Sequence, residues 1–152
     1  MENYIAATSV PGEIRNAEVT KPRVLCVDDN EMVLELLWET LTVSGFRVVC
    51  ECDSERARKA VHSMAIDAVI LDYDMPRCDG LELAATVRST KPNVPILMFS
   101  GALLPSNALN LVSSCVLKSQ GVFALIDALR RELDQPQLKS GPQPCAKKTD
   151  HF

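Results

Sequence analysis

A chain of 152 residues is long enough for one domain with its own core and short for two. Apolar residues make up 47 % and charged residues 24 %, the balance of an ordinary globular protein, and no apolar run reaches membrane-spanning length. The formal net charge of −4 argues against a general nucleic-acid binder, whose phosphate contacts need a basic face.

Residues 1–21 show little periodicity and read as an N-terminal extension. They lack a basic start followed by an apolar core, so no secretory signal is expected and the cytoplasm is the expected compartment. RVLCVD, from Arg23, is a short Val- and Leu-rich run of the kind covered on both faces of a sheet. Asn30 can cap a helix in which Leu34, Leu37, Trp38 and Leu41 repeat at helical spacing, with Ser44-Gly45 as its end. FRVVCEC is a second strand, and Asp53 or Ser54 caps a helix through Ala57, Ala60, Val61 and Met64. DAVILD, Asp67 to Asp72, is a third strand. A third helix spans Gly80 to Ser89 with Leu81, Ala84, Ala85 and Val87 along it. Pro92 and Pro95 bracket a turn before a fourth strand, PILMFS. Pro105 or Ser106 opens a fourth helix that reads as short, and SCVLK is a fifth strand. The last helix places Val122, Leu125, Ile126, Leu129 and Leu133 on one side. From about Asp134 the chain is rich in Pro, Gln and Lys, and residues 135–152 are expected to be a disordered tail.

Among single residues, Trp38 and Phe99 are expected in the core, and Leu103-Leu104 are expected to be buried by the shortened fourth helix. Cys26, Cys50, Cys52, Cys78, Cys115 and Cys145 form no CxxC pair and no zinc-spaced set with His62 or His151. Reduced thiols acting as small apolar side chains are the expected state.

Five strand–helix units in succession predict an α/β fold, a parallel sheet with helices on both faces. The site of such a sheet lies beyond the carboxyl ends of its strands. Those ends are Asp28-Asp29 for the first strand, Asp72 for the third, Ser100 for the fourth and Lys118 for the fifth. Taken singly, each reads equally well as a turn, a cap or a surface residue; their joint position at one rim carries the inference. Clustered carboxylates repel, and a divalent cation relieves the repulsion. Mg²⁺ takes oxygen ligands and suits two or three carboxylates together with phosphate oxygens. A carboxylate beside it can attack a phosphoryl group and form an acyl phosphate, while Lys118 neutralises a phosphate oxygen and the Ser100 hydroxyl donates to another.

The stretches VLCVDDN, VILDYDMPRCDGLEL, PILMFSG and VLKS, in this order and at compatible spacing, resemble the receiver domain of two-component response regulators. The resemblance runs from about Arg23 to Leu133, within a receiver domain bounded at 22–134. It implies a flavodoxin-like (βα)5 doubly wound sheet of five parallel strands in the order 2-1-3-4-5. It implies Asp72 as phospho-acceptor in the D-x-x-M-P-x-x-D-G pattern, Asp29 as a direct Mg²⁺ ligand and Asp28 as its neighbour, acting through water. It further implies that the Asp74 backbone carbonyl completes the metal site, that Ser100 is the mobile hydroxyl and that Lys118 pairs with the phosphate. The implied phosphodonor is a sensor histidine kinase or a histidine phosphotransfer protein, with an unknown downstream protein and neither DNA nor membrane as partner. A homodimer through the last helix stays open.

With no output domain after the patterned region, the expected function is a stand-alone receiver that relays phosphate or docks a partner when phosphorylated. At most it would phosphorylate and dephosphorylate itself. A degenerate receiver acting as an unphosphorylated scaffold is one alternative. A haloacid-dehalogenase-like phosphatase is another, disfavoured because its nucleophile sits on the first strand. The chain departs from the family pattern in four places. Ser119 follows Lys118 where proline is usual, so the loop is expected to take another path. Cys115 stands where a switching Tyr or Phe is usual. Residues 101–117, 17 in number, separate Ser100 from Lys118, fewer than usual. Gly101 and Ala102 are small and should leave an acyl phosphate open to water.

Overall fold

β1 (Arg23–Val27) is buried from Val24 onward, and its alternating side chains enter two different cores. Val24 and Cys26 face one apolar cluster, while Leu25 and Val27 face the other. Such a strand has helices on both of its sides, and that explains a continuous apolar run in place of a polar–apolar alternation. The computed structural model describes residues 21–135. The expected extension and tail lie outside the described residues except for Lys21 and Gln135.

The remaining elements follow in chain order: α1 (Glu31–Val43), β2 (Arg47–Glu51), α2 (Ser54–Ser63), β3 (Ala68–Leu71), β4 (Asp74–Met75), β5 (Cys78–Asp79), α3 (Gly80–Thr90), β6 (Ile96–Ser100), α4 (Ser106–Leu109), β7 (Ser114–Leu117) and α5 (Val122–Asp134). The main sheet has the order β2-β1-β3-β6-β7, with every neighbouring pair parallel. Counting only those five strands, the order is the expected 2-1-3-4-5. Register runs from Arg23↔Arg47 and Cys26↔Cys50 on one side of β1 to Val27↔Leu71 on the other.

One core gathers Leu34, Leu37 and Leu41 of α1 and Leu125, Ile126 and Leu129 of α5 against Cys26, Ile70 and Leu97. The other gathers Ala57 and Val61 of α2 and Leu83, Ala84 and Val87 of α3 against Leu25, Val69 and Met98. At roughly 1.5–3 kcal/mol for each large apolar side chain taken from water, these two layers supply most of the drive to fold.

Helix starts follow local chemistry. The Asn30 side chain accepts a 3.0 Å hydrogen bond from the Met32 N–H, and Asp53 accepts from Glu55 and Arg56 at 2.7 and 3.2 Å. Gly45, at φ 99°, takes the left-handed turn that ends α1.

Phe99 is buried as expected, but two other expectations fail. Trp38 is 51 % exposed, because Leu34, Leu37 and Leu41 already define the buried stripe of α1 and Trp38 lies on its flank. Leu103 is 81 % exposed; only Leu104 packs against the second core. The fourth helix is short, four residues long. Arg88 of α3 ties the chain beyond it, at the Leu111 carbonyl, to the turn before β6, at the carbonyls of Pro92 and Val94, its guanidinium donating to all three. The antiparallel pair β4–β5, with Asp74↔Asp79 and Met75↔Cys78, has no counterpart in the strands expected from the sequence.

Candidate functional site

β1, β3 and β6 deliver polar residues to one rim at the moment each leaves the sheet. Asp28 is 2 % exposed, Asp72 4 % and Ser100 0 %, the three buried polar residues among the described ones. Carboxylate oxygens of Asp28, Asp29 and Asp72 all lie within 4.8 Å of one another, with Asp29 on the exposed side. The expected gathering of Asp28, Asp29 and Asp72 therefore occurs.

Lys118 reaches the same point from the end of β7. Its Nζ lies 2.9 Å from Asp28 Oδ2 and 3.4 Å from Asp72 Oδ2. One ammonium thus serves two buried carboxylates, and the third, Asp29, faces solvent. Asp28 also accepts a 2.9 Å bond from the Asn30 N–H, so the double-acid turn and the cap of α1 are one structure. Asp72 accepts a 3.3 Å bond from the Asp74 N–H, which holds the start of β4 over the acid.

The titration of these groups reflects that crowding. Burial, and then the charge of Asp28, push the Asp72 carboxyl above the ordinary carboxylate range, with Lys118 and the Asp74 N–H opposing the shift. Burial alone would lower the Lys118 ammonium, but the two carboxylates outweigh it and hold the group above its usual value. Burial raises the Cys115 thiol.

Ser100 arrives at the rim, but its hydroxyl is engaged in its own loop. It donates to the Ala102 carbonyl at 2.9 Å and accepts from the Ala102 N–H at 3.2 Å. Asp74 is exposed at the head of the β4–β5 hairpin. Lys118 and Ser119 open a 3₁₀ turn, Lys118–Gln120, and the described residues contain no cis peptide bond. The Gln120 side chain closes this turn by accepting a 2.8 Å bond from the Leu117 N–H. Ser119 thus stands inside this 3₁₀ turn.

Two supporting residues escape a reading of charges and strand ends. A Cβ at Gly80 would stand 2.5 Å from the Asp72 carbonyl oxygen, so only glycine lets the start of α3 approach the acid-bearing turn. Asp79 caps that helix, accepting from the Leu81 N–H at 2.9 Å. The Asp-Gly dipeptide just before an apolar helical run is the signal that could have found both.

The donor set fits a hard divalent cation. It is made of oxygen alone, it carries surplus negative charge, and one member is open to solvent, which suits an ion that keeps several waters. A cleft of about 440 Å³ adjoins it, lined by Asp29, Cys52, Asp53, Met75, Pro76 and Arg77 among others.

The model of the response regulator receiver domain matches residues 24–116. The transcriptional regulatory protein PrrA of Mycobacterium bovis is 38 % identical over 82 residues, 54 % of this chain and 35 % of PrrA. The regulatory protein VirG of Agrobacterium fabrum is 37 % identical over 81 residues, 53 % of this chain and 32 % of VirG. The chain thus spans about a third of the length of these relatives. Among solved structures, the response regulator TrrA of Thermotoga maritima, in complex with Mg²⁺ and BeF, aligns at a TM-score of 0.70 and 30 % identity. That alignment covers 74 % of this chain and 99 % of TrrA. TrrA has also been solved in complex with the histidine kinase ThkA. A CheY-like receiver from Methanospirillum hungatei, at TM-score 0.73 and 21 % identity, covers 80 % of this chain and all of its own, and shows the shared fold. With the doubly wound sheet, the acid cluster at its carboxyl rim and a family match over most of the described residues, this chain belongs to the response regulator receiver family, the signalling domains of two-component systems.

Proposed function

We propose that Asp72 accepts a phosphoryl group, in a Mg²⁺-dependent step, from the phosphohistidine of a sensor histidine kinase or a histidine phosphotransfer protein. The single observation that carries this reading is the pairing of buried Asp72 with Lys118 beside two further carboxylates. An Asp72 oxygen attacks phosphorus, the phosphorus–nitrogen bond breaks, and the imidazole, carrying a proton on its other ring nitrogen, leaves with the electron pair as a neutral ring. The products are an aspartyl phosphate and a free histidine, and the step needs no further reactant.

The side chains would divide the work as follows. Asp29 and Asp72 would hold the cation, with Asp28 acting through water and the Asp74 backbone carbonyl completing the set. When bound, Mg²⁺ supplies positive charge that balances the phosphoryl oxygens and the carboxylates together. Lys118 keeps its 2.9 Å bond to Asp28 and turns its second contact from Asp72 to a phosphoryl oxygen. Ser100 gives up Ala102 and donates its hydroxyl to another phosphoryl oxygen. Freed of that contact, residues 101–105 shift, and the exposed Leu103 they carry changes position. A surface altered in this way either docks a downstream protein or passes the phosphoryl group on.

The histidine kinase is supported as donor by the TrrA complex with ThkA, and Mg²⁺ by the TrrA complex with Mg²⁺ and BeF. Incubation with a small acyl phosphate such as acetyl phosphate tests the reading. One phosphoryl group per chain is expected with Mg²⁺, and none in Asp72→Asn. A scaffold that works unphosphorylated would take up none in either protein. A dehalogenase-type phosphatase would turn over a phosphate ester instead.

A further inference from the structure

Cys26 and Cys50 stand opposite each other in the parallel register of β1 and β2. Both side chains enter the same core, under α1 and α5. Adjacent strands run about 4.8 Å apart, inside the Cα separation that a disulfide accepts. Forming the bond takes side-chain rotation and a slight closing of β2 on β1.

The two partners differ in access. Cys26 is fully buried, whereas Cys50 is half-buried at the sheet edge, with its sulfur 3.6 Å from the Leu34 carbonyl oxygen. An oxidant entering from the edge strand meets Cys50 first and finds Cys26 directly behind it. The third thiol of this region, Cys52, is exposed beyond the end of β2 and has no such register partner.

We propose that Cys26 and Cys50 form a peroxide-responsive dithiol, a modification site separate from phosphoryl transfer. The Cys50 sulfur attacks one oxygen of hydrogen peroxide and the oxygen–oxygen bond breaks. Cys50 sulfenic acid and one water result, the thiol proton going to the departing hydroxide. The Cys26 sulfur then attacks the Cys50 sulfur, the sulfur–oxygen bond breaks, and a second water leaves with the Cys26 proton. Two thiols are oxidised and one peroxide is reduced. The new bond draws β2 against β1 one residue before the Val27↔Glu51 pair, where the Asp28 N–H donates to the Glu51 carbonyl. The link therefore lies against the strand end that carries Asp28.

The test uses the full chain, treated with hydrogen peroxide, alkylated with iodoacetamide and digested with trypsin. Cleavage after Arg23, Arg47 and Arg56 puts Cys26 in one peptide and Cys50 with Cys52 in another. The expected product is these two peptides joined, with two hydrogen atoms lost, and separated again by dithiothreitol. Cys52→Ser should keep the link and Cys50→Ser should lose it. A link that survives in Cys50→Ser, or Cys50 carried on to sulfinic acid with Cys26 alkylated, would overturn the proposal. So would full alkylation of both thiols after treatment.

Discussion

The Asp72 carboxyl has a higher pKa in the folded chain than the ordinary carboxylate value, and this has a consequence for stability. Burial and the Asp28 charge raise its carboxyl in the folded state, so the folded chain binds that proton more tightly than the unfolded chain. Stability from this residue is then fully present below the ordinary carboxylate range, about 4, and is lost as pH rises through the raised folded value. In metal-free buffer at pH 7, Asp72→Asn should melt a few degrees above the parent, since about 1 kcal/mol moves such a domain by roughly 4 °C. Below the carboxylate range the gap should close. A series of melts across pH checks both the sign and the window. Mg²⁺ should raise the melting temperature of the parent by binding the folded state and should raise that of Asp72→Asn less. Lys118 contributes differently, because its ammonium already bridges Asp28 and Asp72 before any phosphate arrives. Lys118→Ala should still accept phosphate on Asp72 but lose the accompanying change in hydrogen exchange around α4 and α5, measured with and without acetyl phosphate. At this scale the sequence was unusually legible. Asp28, Asp29, Asp72 and Lys118 each follow an apolar run by one or two positions, and a parallel sheet sends all such positions to one edge. What could not be read was the engagement of Ser100 with Ala102, because that bond depends on the turn taken after β6 and not on the identity of the serine.

The elements around the site are set by close approaches that leave little freedom. α3 starts against the turn after Asp72, and the space for a side chain at Gly80 is absent. Gly80→Ala should cost about 1–3 kcal/mol, the usual range for overpacking, and should slow phosphoryl uptake by displacing the Asp72 backbone. Urea denaturation and the labelling rate measure the two effects separately. At the C-terminal end of α3, Arg88 does the opposite work by tying down a segment. Its guanidinium satisfies the carbonyls of Pro92, Val94 and Leu111, and so fixes the chain between the abbreviated α4 and β7. Arg88→Ala should speed hydrogen exchange over residues 109–114 with the sheet left intact, an effect that exchange mass spectrometry resolves by peptide. The short α4 was foreseeable, because only residues 101–117 lie between the two rim residues. The β4–β5 hairpin was not, since two-residue strands carry no periodic signal. Trp38 misled for a related reason: helical spacing fits two adjacent stripes, and three leucines filled the core-facing one.

Across the whole molecule, two apolar layers enclose the sheet and leave its carboxyl rim as the place where charge collects. The winding could be read before the structure because apolar runs of four to six residues alternate with amphipathic helices. Right-handed crossovers then leave few arrangements. The strand order itself came from the family resemblance and is matched by β2-β1-β3-β6-β7. The claim on which everything else depends is that this rim uses a divalent cation to place a phosphoryl group on Asp72. Intact-mass spectrometry of the chain incubated with acetyl phosphate, with Mg²⁺ or with EDTA, beside the same pair for Asp72→Asn, tests it most directly. One phosphoryl group on the parent in Mg²⁺ alone, located to the peptide that carries Asp72, is the result expected. Equal uptake in EDTA, or stoichiometric uptake by Asp72→Asn, would contradict it.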